Sequence, residues 1–133
     1  MGTLLGFDYG TAKIGIAVGQ TETGTANPLT TLRAIQQKPD WTAIGRLIDD
    51  WLPEALVVGL PYDMDDTETE IAPLARRFAR QLEGRYRLPV HMTDERLTSQ
   101  VARQLLGRKI KKHEELDAIA AKLILETWLS ERR

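Results

Sequence analysis

Two apolar runs near the N-terminus, separated by a tight interval, constrain the fold of this chain more than any other feature. Thr3-Leu4-Leu5-Gly6-Phe7-Asp8-Tyr9-Gly10 is short, apolar and closed by glycine, and Ile14-Gly15-Ile16-Ala17-Val18-Gly19 follows almost at once. This pattern predicts a β-hairpin. A weaker strand is expected at the sheet edge over Gly24 to Ala26 and Pro28 to Ile35, because an edge tolerates a proline. Trp41, Ile44, Leu47, Ile48, Trp51 and Leu52 recur at helical spacing between Pro39-Asp40 and Pro53, predicting a first helix. Ala55 to Leu60 is a continuous apolar run stopped by Pro61, as in a central strand buried on both faces of a parallel sheet. Ile71, Leu74, Ala75, Phe78, Ala79 and Leu82 mark a second helix, with Arg76, Arg77 and Arg80 on its other face and Gly84 as its end. A strand over Leu88 to Met92, a short helix over Thr98 to Leu106 and a last helix over Glu114 to Ser130 complete the pattern. A hairpin followed by alternating strands and helices implies an α/β fold with a mixed five-stranded sheet and helices on both faces.

At 133 residues, with 42% hydrophobic and 28% charged residues, the chain is read as one folded domain spanning 1–133. No apolar run approaches the roughly 20 residues of a membrane span, and Met1 leads straight into a strand pattern, so a cytoplasmic location is expected. The absence of cysteine excludes disulfides, thiol catalysis and cysteine-ligated zinc, leaving oxygen or the two histidines to hold any metal. His91 and His113 are too few and too scattered for a metal motif. The net charge of −1 does not advertise a nucleic-acid binder, but charge is segregated: residues 63–70 read DMDDTETE and 103–113 read RQLLGRKIKKH. The acidic run is not a calcium loop, since Glu68 stands where the sharp-turn glycine should be. Trp41, Trp51 and Trp128 occupy apolar helical positions and are expected in the core.

Three acids stand out. Asp8 closes the first strand, the position from which open α/β sheets present their sites, although a turn-capping aspartate has the same signature. Asp117 falls on the apolar side of the last helix with Ala121, Ile124 and Trp128, opposite Lys122 and Glu126. A carboxylate buried there needs a donor, a cation or a metal, unless it serves only the helix dipole. Ala120 and Ala121 would let this helix lie close to the sheet. Glu95 sits in the strand-to-helix turn Thr93-Asp94-Glu95-Arg96-Leu97-Thr98, where Asp94 could take the same role and Asp94 or Thr98 could simply cap a helix. Converging oxygen ligands of this kind favour Mg²⁺ or Mn²⁺.

The strings FDYGTAKIGIAV at 7–18, VVGLPYDMDDTET at 57–69, LPVHMTDERLTSQVA at 88–102 and LDAIAAKLIL at 116–125 resemble the bacterial pre-16S ribosomal RNA nuclease family, whose members are also described as Holliday-junction-resolvase-like. The resemblance runs in order over nearly the whole chain. It implies a ribonuclease-H-like fold and processing of the 5′ end of pre-16S rRNA during ribosome maturation. It also implies that Asp8, Glu95 and Asp117 act as catalytic, metal-holding acids. Two divalent ions about 4 Å apart would span the scissile phosphate, with Asp8 as bridging ligand. Lys13, Arg96, Thr98, Arg108, Lys109, Lys111 and Lys112 would contact the nucleic acid around it. The family's Asn-Met-Asp-Gly-Thr segment reads Asp63-Met64-Asp65-Asp66-Thr67 here, and the basic residue of the first loop, in Thr11-Ala12-Lys13, is displaced by one position from some relatives.

Three other functions fit parts of the pattern. The hairpin DYGTAKIGIAV also resembles the phosphate-binding hairpin of the actin and sugar-kinase superfamily, but those proteins enclose a nucleotide between two such lobes. A Holliday-junction resolvase acting on branched DNA, or a non-catalytic nucleic-acid-binding assembly factor, would share the fold. A resolvase cutting two strands symmetrically requires a homodimer, whereas an RNA-trimming enzyme can be a monomer.

Overall fold

In the computed structural model, residues 2–60, 71–94 and 113–132 are described. Strands β1 (Thr3–Asp8), β2 (Lys13–Gln20) and β3 (Thr25–Arg33) are followed by helix α1 (Trp41–Trp51) and strand β4 (Ala55–Leu60). Helix α2 (Ala72–Tyr86), strand β5 (Val90–Asp94) and helix α3 (His113–Ser130) complete the described elements. The five strands form one sheet in the order β3-β2-β1-β4-β5. β1, β2 and β3 are antiparallel neighbours, whereas β1, β4 and β5 run parallel. The expected mixed sheet is therefore present, with β4 an interior strand paired in parallel on both sides and β1 in the middle position. The helix expected over 98–106 and the acidic run at 63–70 lie outside the described residues.

Strand alternation sends side chains to two cores. Leu5, Phe7, Ile14, Ile16, Leu56 and Val58 pack with Ile44 and Ile48 of α1 and with Phe78 and Leu82 of α2. Leu4, Ala17, Ala55 and Val57 pack on the opposite face with Ala121, Ile124, Leu125 and Leu129 of α3. Helices thus cover both faces. β3 is the edge strand, and its register with β2 shifts between Ile16 and Ala17, where Pro28 is the partner of Ala17. A proline is tolerated at such a bulge because it has no N–H to offer the ladder.

The helix ends explain where the sequence pattern misleads. Asp40 caps α1 by accepting a hydrogen bond from the Ala43 amide at 3.1 Å. Leu52 adopts the left-handed conformation and donates its N–H to the Ile48 carbonyl at 2.9 Å, which ends the helix before Pro53. Leu52 is consequently 78% exposed and Trp51 38% exposed, so neither joins the core expected from their spacing. α2 runs through Gly84 to Tyr86 and is closed by Arg87, again left-handed, with its N–H on the Glu83 carbonyl. A side chain at Gly84 would meet nothing, so this glycine is neither the helix end nor a packing requirement. β5 starts two residues later than the apolar pattern suggests, after Pro89, whose carbonyl accepts from the Leu56 amide. Tyr86 packs on Trp41 and donates to its carbonyl at 3.4 Å. Burial raises the phenol above its ordinary value of 10.0, keeping it a donor.

α3 can reach the sheet because β1 and β2 present little side chain beneath it. A Cβ at Gly6 would collide with the Leu125 side chain and approach the Ala121 carbonyl, and one at Gly19 would touch Leu125 and Leu129. Gly6→Val is expected to destabilise the protein by about 1–3 kcal/mol through overpacking. Urea unfolding checks this, with a lower midpoint at unchanged slope as the expected outcome.

Candidate active site

β1, β4 and β5 bring their carboxyl ends to one edge of the sheet, where β1 ends on Asp8. Asp8 pairs with Gly15 across the hairpin. By alternation with Leu4 and Gly6, its side chain belongs to the α3 side of the sheet, as do Lys13 and Gly15 on β2. Gly15 is where helix and hairpin meet most closely, since a Cβ there would overlap the Asp117 carbonyl group. The glycine opposite Asp8 is therefore what allows the first turns of α3 to settle on the sheet and bring Asp117 to the same edge and face.

Asp117 is three-quarters buried, and Lys13 Nζ lies 3.1 Å from its Oδ2. That oxygen is itself buried and accepts no hydrogen bond among the described residues, the Lys13 contact being an ion pair without hydrogen-bond alignment. A buried carboxylate oxygen with a cation beside it but no donor aimed at it is a poor resting arrangement and a good ligand position for a hard cation. The ionisable partner demanded by the helical pattern is thus Lys13, a residue that the sequence places only in the role of phosphate contact.

On β5, Thr93 pairs with Gly59 and is buried at 8% exposure. One step beyond the Phe7–Val58 pair, Asp8 stands level with Gly59 and so with Thr93. Two strand spacings make that separation about 10 Å. Thr93 was not singled out by the sequence; a buried hydroxyl on a strand has no periodic signature. Glu95, Arg96, Thr98, Arg108, Lys109, Lys111 and Lys112 lie outside the described residues, so the structure pairs Lys13 with Asp117, sets Asp8 on the same edge and face, and leaves the rest of the expected set unplaced. Among the described residues no three metal-ligating side chains cluster. His91, on β5, stacks on Trp128 with ring centroids 4.9 Å apart. No described helix is long and apolar enough to cross a membrane.

Comparison with known proteins bears on both fold and family. A family model described as "RuvX: Holliday junction resolvase" matches residues 2–131. A protein of Azotobacter vinelandii is 50% identical, over 97% of this chain and 94% of its own length. One of Methylococcus capsulatus is 53% identical, over 96% and 88%. Both are provisionally named pre-16S rRNA nucleases. Among solved structures, RuvC of T. thermophilus in complex with a Holliday junction substrate superposes with a TM-score of 0.57 at 18% identity, covering 98% of this chain and 95% of that one. Fowlpox virus resolvase with Holliday junction DNA gives 0.60 at 11% identity, covering 98% of each. The sheet and its helices are thus the ribonuclease-H-like fold that the resemblance implied.

The ion pair is measurable in divalent-free buffer. A double-mutant cycle on Lys13→Met and Asp117→Asn is expected to give a stabilising coupling of about 0.2–1 kcal/mol, as for other partly exposed pairs. A coupling indistinguishable from zero would mean the pair is not formed in solution.

Proposed function

Because this chain belongs to the RuvX family, we propose that it is a divalent-metal-dependent nuclease, a hydrolase of phosphodiester bonds, acting as one domain in the cytoplasm on the 5′ end of pre-16S rRNA. The observation that carries this reading is the buried Asp117 Oδ2, without a hydrogen-bond donor among the described residues, on the edge and face of the sheet that also present Asp8. The all-oxygen, cysteine-free donor set suits Mg²⁺ or Mn²⁺. Asp8 and Asp117 would hold the metal, and Glu95, next in sequence after the end of β5, would complete the set. When bound, a divalent ion supplies Lewis acidity, activating water near neutral pH and offsetting charge on the leaving oxygen.

The chain's own residues do the rest. The β1–β2 register fixes Asp8, and α3 fixes Asp117, so little reorganisation is needed when a phosphate arrives. Lys13 balances the Asp117 carboxylate, and with a divalent ion held there its ammonium would be available to a substrate phosphate oxygen. Arg96 and the basic residues at 108–112, with Thr98, extend phosphate contacts along the strand. A second reading, cleavage of branched DNA, is favoured by the description of the matching family model. It requires a homodimer, so solution mass together with a panel of structured RNA and four-way DNA junctions separates the two.

In a Mg²⁺-dependent cleavage assay on a pre-16S 5′-end fragment, Asp8→Asn is expected to lower the rate at least about a hundredfold, more than loss of an outer-shell partner of a metal ligand costs. Undiminished cutting by the pure variant would refute the assignment.

A further inference from the structure

On the opposite side of the sheet edge from the carboxylates, the fold opens a groove of ≈ 850 Å³ between α2, the β1–β2 turn and the segment joining β3 to α1. Among the described residues its lining contains three cations, Lys38, Arg77 and Arg85, and no carboxylate. None of the three is in an ion pair with a described residue. In a chain of net charge −1, three cations around one groove, without a carboxylate partner among the described residues, are a concentrated positive field.

The groove is built. Arg77, Gln81 and Arg85 recur every fourth residue along one ridge of α2, while Lys38 faces them from the other wall. Arg77 and Arg85 are eight residues apart, about 12 Å along the axis, too far to share one small anion but a separation at which each can meet a different phosphate of one strand. Arg85 lies with its guanidinium 4.1 Å above the Trp41 ring, whose stacking on Phe78 fixes it in turn. A guanidinium laid flat on an aromatic ring keeps its N–H fork free for phosphate at reduced entropic cost. Lys38 is held by a tight turn, with reciprocal backbone hydrogen bonds to Ile35 at 2.8 and 3.0 Å. The two central residues of that turn, Gln36 and Gln37, have φ of 52° and 64°, values that non-glycine residues keep only under constraint. Both glutamines line the groove.

The groove also begins beside the carboxylates. Tyr9, which lines it, follows Asp8 directly and turns to the other face, packing on Phe78 at 5.0 Å. A strand whose phosphate lies at Asp8 can therefore cross the sheet edge and continue along α2. Its volume is that of a drug-sized ligand site, about 300–1,000 Å³, enough for a short single-stranded stretch and too small for a duplex.

We propose that this groove is a single-stranded nucleic-acid subsite, in which Lys38, Arg77 and Arg85 hold the phosphates of the strand leaving the cleavage site. It rests on the nuclease reading but is tested without catalysis. The probe is a fluorescein-labelled 20-nucleotide single-stranded RNA of mixed sequence, with fluorescence anisotropy measured in EDTA over a salt series. Lys38→Gln/Arg77→Gln/Arg85→Gln is expected to weaken binding at least tenfold at 100 mM salt and to reduce the slope of log K against log salt by about 2, since each single-strand phosphate contact contributes about 0.7. Lys38→Gln/Arg77→Gln spares the Arg85–Trp41 stack, so it reports on the groove even if the triple variant folds poorly; its slope should fall by about 1.4. Arg46→Gln/Lys122→Gln/Arg132→Gln removes equal charge outside the groove and should change affinity less than twofold.

If the groove variants bind like this control, or if polyglutamate displaces the RNA as well as unlabelled RNA does, the proposal is overturned. Salt-dependent binding lost in the groove variants, in a wild-type protein that cuts nothing with Mg²⁺, would leave the groove standing and remove the nuclease reading. Cleavage with groove-independent binding would do the reverse.

Discussion

Helix α3 rests on a strip of β1 and β2 where Gly6, Gly15 and Gly19 leave room for it, and the candidate catalytic edge depends on that close approach. Any side chain at Gly15 would overlap the Asp117 backbone, and any at Gly6 would displace Leu125. Small residues on the helix, Ala118, Ala120 and Ala121, are buried in the same contact. Close packing of this kind is stiff, because interiors at crystal-like density do not accommodate an added methylene without strain. The position of Asp117 relative to Asp8 is therefore set by backbone shape rather than by a salt bridge.

The sheet divides two kinds of work between its faces. On the α3 side, Asp8 and Asp117 gather at the carboxyl edge and Lys13 supplies a counter-charge. On the α1–α2 side, an aromatic stack of Tyr9, Phe78 and Trp41 carries Arg85 into a groove lined also by Lys38 and Arg77. Negative and positive groups thus meet across a sheet edge one residue wide, between Asp8 and Tyr9. A near-neutral net charge thus conceals a local segregation of sign on the two sides of one sheet edge.

How much of this was legible in the sequence follows from the physics of each element. The hairpin, the buried strand and the face of α3 carrying Asp117 were legible because period-2 and period-3.6 patterns report burial directly. Leu52 and Gly84 were misassigned for a related reason: periodicity does not see a left-handed cap, which placed one residue past the true end of α1 and stopped α2 too early. The Lys13–Asp117 pair was not legible, because it joins residues 104 positions apart and exists only through the contact at Gly15. The groove was hidden too, since its lining comes from several separated segments and Trp41 reads as core. Asp8 drew most of its weight from the surrounding motif, and Glu95 lies outside the described residues.

The most direct measurement is an anomalous difference map from crystals soaked in Mn²⁺. The expected result is a peak within about 2.5 Å of carboxylate oxygens of both Asp8 and Asp117, at the coordination distance of a hard divalent cation, with Lys13 Nζ withdrawn from its 3.1 Å contact with Asp117. A map at saturating Mn²⁺ with no peak at this edge and the Lys13–Asp117 pair intact would contradict it.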